Sequence, residues 1–147
     1  MAELDGKDKQ IIEVLQEHAD YTTRQIAKKT LLPITTVHNR INKLKKEKII
    51  KKFTIEPDYS KIDKGLLVYV LISANLQSLK QKNKTQYDLV KELKSFYFVE
   101  RADIVSGGAD IVTVISVKDV AEFDKILLGK LQLLECVDKT QSLIVIH

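Results

Sequence analysis

The chain has 147 residues, 44% hydrophobic and 30% charged, with a formal net charge of +4. That length suits one domain or two small ones, and the composition is that of a folded globular chain, which excludes disordered, collagenous and disulfide-rich classes. The longest apolar run, residues 66–72, falls far short of the ~20 residues a spanning helix needs. The polar, acidic start lacks the basic, apolar, small-residue order of a secretory signal, so a cytoplasmic chain without a membrane partner is expected. Cys136 stands alone, which rules out an internal disulfide and a multi-cysteine metal site and reads as a small packing residue.

Charge is unevenly spread. Residues 1–20 hold two lysines against six acids, whereas residues 24–52 hold ten basic residues and one acid, Glu47, a net +9. Residues 63–147 are balanced, with eleven of each sign. A field concentrated in this way attracts polyanions.

In chain order, Asp5 caps a first helix running to about His18, with Ile11, Ile12, Val14 and Leu15 at helical spacing. Thr22 and Gln25 have the form of a capping box for a short second helix ending near Thr30, with Ile26 and Ala27 inward. Leu31, Leu32 and Pro33 interrupt the pattern, and Pro33 opens a third helix over about residues 34–47. There Val37, Ile41 and Leu44 form one inward stripe. Opposite that stripe come Thr35, Asn39, Asn42 and Lys46, flanked by Thr36, Lys43, His38 and Lys45. A merely solvated helix presents alternating acids and lysines, but here no acid occurs until Glu47. Asparagine pairs with an adenine edge, threonine offers a methyl or hydroxyl to bases, and lysine reaches phosphates. Exposed aromatics, which recognition of single strands requires, are scarce in this part, so double-stranded DNA is the expected partner. Ile49, Ile50, Phe53 and Ile55 then suggest an extended segment, ended by a turn at Glu56, Pro57 and Asp58.

Beyond a linker at residues 57–65, strands are expected over residues 66–74, 98–105, 111–117 and 137–146. Helices are expected over residues 85–96, with Leu89, Val90, Leu93 and Phe96 inward, and after Asp119, with Val120, Phe123, Ile126, Leu127 and Leu131 inward. The βαββαβ order builds a four-stranded antiparallel sheet with two helices on one face, leaving the other face for a second copy in an isologous dimer. The turn at Ser106, Gly107, Gly108, Ala109 and Asp110 reads as a hairpin in which glycine supplies positive φ.

Residues 4–63 resemble the helix-turn-helix of the Lrp/AsnC, or feast/famine, transcription regulators. The run Thr35, Thr36, Val37, His38, Asn39, Arg40, Ile41 and Leu44 matches the family's third helix position by position. Two departures stand out. The family usually has a capping serine where Pro33 stands and a helix-terminating glycine where Lys48 stands. The resemblance implies an α+β chain in two parts. Residues 1–56 form a three-helix, winged-helix-like DNA-binding domain, and residues 66–147 a ferredoxin-like βαββαβ domain for effector binding and dimerisation, with an octamer as a further assembly. It also implies an amino-acid effector at the Gly107–Gly108 turn, whose amides meet the carboxylate and where Asp110 meets the ammonium group, with Ser142 in the last strand where threonine is usual.

Base contacts are therefore expected from Thr35, Thr36, His38, Asn39, Asn42 and Lys43, and phosphate contacts from Arg40, Lys46, Lys51 and Lys52. Arg40 borders the buried stripe, so an intramolecular ion pair is its alternative. His18, His38 and His147 lack metal-ligand spacing, and neither a Ser/His/Asp arrangement nor a phosphate-cradling loop occurs, so no metal, cofactor or enzymatic activity is expected. Two competing readings are a siroheme-decarboxylase-like enzyme, for which His147 is the one histidine in the second domain, and an architectural protein that wraps DNA without reading it.

Overall fold

The computed structural model describes residues 3–146. Contacts divide the chain between Pro57 and Asp58 into two units with separate cores.

The first unit holds α1 (Gly6–Glu17), α2 (Thr23–Thr30) and α3 (Ile34–Lys46). Two reciprocal caps set the helix starts. The Asp5 carboxylate accepts from the Asp8 amide at 2.9 Å while Asp8 accepts from the Asp5 amide at 3.3 Å. Thr22 and Gln25 do the same at α2, at 3.3 and 2.8 Å. Ile11, Val14 and Leu15 meet Ile26, Ala27, Val37 and Leu44 in one core, with Ile41 partly buried beside it.

Neither departure from the family pattern disturbs α3. Pro33 occupies its N-cap position and no side chain caps the helix, so Thr35 does not replace the missing serine. At the other end Lys48 takes the left-handed conformation itself, with φ of 58°, and the amides of Ile49 and Ile50 close onto the Leu44 carbonyl at 2.9 and 3.1 Å. This is the exit a glycine supplies without strain; a lysine adopts it at a cost of about 1 kcal/mol. The expected extended segment after α3 forms no strand: residues 51–58 have no regular structure. Ile50 packs on the core, the Phe53 ring lies 4.9 Å from Lys45 Nζ, and Ile55 is 84% exposed. Strand-forming residues need a backbone partner, and among the described residues this segment has none.

The second unit opens within the expected linker, where Asp58 caps a 3-10 turn at Tyr59–Ile62. It continues as β1 (Leu66–Ala74), α4 (Leu76–Gln81), α5 (Gln86–Lys94), β2 (Val99–Ile104), β3 (Ile111–Val117), α6 (Val120–Ile126) and β4 (Val137–Ile144). The short α4, capped by Asn75, is an addition to the expected elements. All strand pairs are antiparallel in the order β2-β3-β1-β4. Register places Val68 beside Ile115 and Ile72 beside Ile111 on the face that packs with Leu89, Leu93, Phe123, Ile126 and Leu131. Val120, expected inward, is 55% exposed, because the buried stripe of α6 begins only at Phe123. The opposite face carries Leu67, Tyr69, Leu71, Val112, Val114 and Leu143, none fully buried.

Candidate nucleic-acid interface

Burial of Val37 and Leu44 orients α3, since both are 0% exposed. With that side fixed, Thr35, His38, Asn39, Asn42, Lys43 and Lys46 stand exposed and Thr36 half-buried. Asn42 Nδ2 lies 3.0 Å from His38 Nε2 one turn earlier, so these two polar groups form a pre-arranged pair on the outward side. A shallow depression beside it is lined by Asp5, Thr36, Asn39, Arg40 and Lys43. Lys51 and Lys52 are exposed just beyond the helix.

Of the ten basic residues in 24–52, nine make no ion pair among the described residues. Their charge is not neutralised within the unit and remains for an anionic partner. Arg40 is the exception, and it makes the intramolecular ion pair that stood as the alternative to a phosphate contact. Its Nη1 donates to Asp5 and to Asp8, both at 2.8 Å, and Asp8 is only 1% exposed. A buried carboxylate left without a cation is costly, so this guanidinium is committed to joining α3 to the start of α1. The Asp8 amide and then the Arg40 guanidinium hold the Asp5 carboxyl below its ordinary value, while Asp8 and Asp5 push the Arg40 pKa up.

A residue that sequence reasoning passed over lies between α2 and α3. Leu31 ends α2 in the left-handed region, with φ of 55° and ψ of 32°, and is 90% exposed. Nearby Ile34, the first residue of α3, is 48% exposed. The interrupted hydrophobic pattern was visible in the sequence, but the backbone conformation was not.

In the second unit the turn between β2 and β3 places Gly107 at φ of 146°, with both glycines exposed. Asp110 is already engaged: its carboxylate accepts from the Ala74 amide at 2.8 Å and from Gln86 Nε2 at 3.3 Å, and its amide donates to the Ile72 carbonyl at 3.0 Å. It therefore fastens the turn to the end of β1 and the start of α5. Ser142 is not brought to the turn. It pairs with Val70, whose other neighbour is Thr113, so it stands two strands from β3 and three positions along from Asp110.

Cys136 is buried beside Ser78, 3.8 Å away, in keeping with packing. His18 stacks on Tyr21 at 4.3 Å, and His147 lies outside the described residues. Among the described residues no group of three or more metal-ligating side chains converges, and no helix is long and apolar enough to cross a membrane.

Residues 4–51 match the winged helix-turn-helix DNA-binding family, and residues 68–147 match the Lrp/AsnC ligand binding domain. An uncharacterized HTH-type transcriptional regulator of Pyrococcus furiosus is 34% identical over 98% of this chain and 94% of its own. The regulatory protein AsnC of Haemophilus influenzae is 29% identical over 98% and 92%. A transcriptional regulator of Neisseria meningitidis, solved as a complex with L-methionine, superposes with a TM-score of 0.88 at 19% identity, covering 99% of this chain and 91% of that one. AsnC of E. coli does so with 0.81 at 22%, covering 99% and 94%. The curated relatives carry the names of transcription regulators, which favours the regulator reading over the decarboxylase one. The chain is a member of the Lrp/AsnC family of transcription regulators, with a helix-turn-helix DNA-binding unit followed by a ligand-binding domain.

Proposed function

We propose that α3 enters the major groove of duplex DNA and reads sequence there as a homo-oligomeric regulator in the cytoplasm. The observation that carries this reading is the outward side of α3, a helix without an acid, where Asn39 and Asn42 sit with the unpaired Lys43, Lys45 and Lys46. Thr35, Thr36, His38, Asn39, Asn42 and Lys43 contact bases, while Lys46, Lys51 and Lys52 hold phosphates and fix register. Arg40 is a positioning residue, which sets the angle of α3 through Asp5 and Asp8.

The half-exposed sheet face with Leu67, Tyr69, Leu71, Val112, Val114 and Leu143 takes a second copy, and a two-fold dimer suits paired half-sites. Dimers associate further into an octamer, and DNA-bound assemblies act on the transcription machinery. An amino acid serves as effector near Gly107 and Gly108; the L-methionine bound by the Neisseria relative supports that ligand class. Because Asp110 is occupied by the chain's own amides, the glycine amides and not this carboxylate are the principal ligand groups.

Two variants test the reading helix. Asn39→Ala relaxes preference for a selected duplex while keeping affinity for random duplex, whereas Lys46→Ala weakens both and lowers the slope of log affinity against log salt by about 0.9. Equal losses on every sequence from both variants would contradict the division of roles.

A further inference from the structure

Leu31 carries two costs that its position does not require. It is held in the left-handed region, with φ of 55°, where a non-glycine residue is strained, and its apolar side chain is 90% exposed. A glycine there would relieve the first cost and remove the second. The buried cluster of the first unit does not include Leu31, so core packing does not explain it. Its setting does. Leu31 stands three residues before Ile34, which is 48% exposed at the start of α3, and Pro33 between them is exposed too. This small apolar tip sits at the amino-terminal end of the reading helix, the end that reaches base edges in helix-turn-helix docking, and directly follows the last turn of α2, which carries the unpaired Lys28 and Lys29.

We propose that Leu31 is a specificity-determining residue that packs its side chain on thymine 5-methyl groups in the major groove, with Ile34 beside it. The proposal rests on α3 being the reading helix. Thymine is the one base presenting an apolar group in that groove, and the lysines bring the backbone phosphates close, so the duplex and not a protein is the occupant that the charge favours. Strain kept at a fully exposed apolar residue is explained when binding covers that residue.

The test uses the full-length protein and a duplex selected by it from a random pool. Each thymine of that duplex is replaced in turn by uracil, which removes the methyl and nothing else. For the wild type, uracil at one or two positions weakens binding about fourfold each, the worth of one buried methyl. Leu31→Gly melts at or above the wild-type temperature, binds the selected duplex more weakly by a similar factor, keeps its affinity for random duplex, and shows no uracil penalty at those positions. Leu31→Met keeps the penalty. Uracil penalties that are equal in wild type and Leu31→Gly overturn the proposal, as does wild-type affinity in Leu31→Gly. If the wild type enriches no sequence at all, the reading role of α3 fails and this proposal with it, an outcome the uracil series would not produce.

Discussion

Leu44 is fully buried on the inward side of α3, and its truncation to alanine removes three carbon atoms from a core of seven buried side chains. At ~0.8 kcal/mol for each lost carbon plus the cavity left behind, Leu44→Ala should cost about 3–4 kcal/mol. A unit of this size holds about 3–8 kcal/mol in all, so the change consumes a large share of it. Native-state hydrogen exchange reads the loss locally: the most protected amides of α1 and α3 exchange about 150-fold faster or more, at 1.36 kcal/mol per factor of ten. Amides of β1 and β3 keep their protection, because the second core contains no residue of the first. Ile41→Ala, at a partly buried position, costs about half as much, and Ile55→Ala, at 84% exposure, stays within about 0.5 kcal/mol. Under conditions where Leu44→Ala remains folded it binds duplex with wild-type strength, since its side chain faces away from the outward groups. The reasoning is refuted if Leu44→Ala costs under about 1 kcal/mol, or if β1 loses protection in step with α3.

Lys48→Gly relieves the left-handed residue after α3 and should stabilise the first unit by about 0.5–1 kcal/mol, measured by thermal or urea unfolding; a loss of stability would contradict the strain assigned to Lys48. Because the Asp5 carboxyl titrates below its ordinary value when folded, its contribution to stability is complete above the unfolded pKa and is lost as pH falls through the lower folded value. Unfolding of the first unit therefore becomes easier in that acidic window, and Asp5→Asn flattens the dependence; an unchanged pH profile in Asp5→Asn would remove the role given to this carboxylate. Leu71→Lys places a charge on the half-exposed sheet face and should yield monomers in sedimentation while leaving the helical content intact; an undiminished oligomer would move the interface elsewhere.

Local chemistry was legible where residue type alone decides it. Thr22 with Gln25 and Asp5 at the start of α1 declare their caps, and the run Leu66–Ala74 is β1 to the residue, because apolar β-branched stretches flanked by polar turns leave little choice. The short α4 was missed since it buries only Leu79 and so has no periodic stripe to read. The segment expected to be extended, with Ile49, Ile50, Phe53 and Ile55, joins no sheet: its β-forming residues carry an extended pattern, but pairing depends on a partner that composition does not reveal. Arg40 was ambiguous because the same side chain serves a phosphate or a carboxylate, and only the placement of α1 against α3 brings Asp5 and Asp8 within 2.8 Å. Asp110 follows the same rule, since its partners Ala74 and Gln86 are distant in sequence. The conformation of Leu31 was hidden, because glycine announces a left-handed residue and leucine does not; that of Lys48 was signalled only by the helix-terminating glycine the family has there.

The most direct test of the central claim is selection of bound sequences from a random duplex pool at about 150 mM salt, where purely phosphate-driven binding is weakened. A helix that reads bases enriches a roughly palindromic motif with half-sites about one helical turn apart, or a multiple of it. Retained binding without enrichment would contradict the reading role and leave a protein that coats DNA by charge and shape alone.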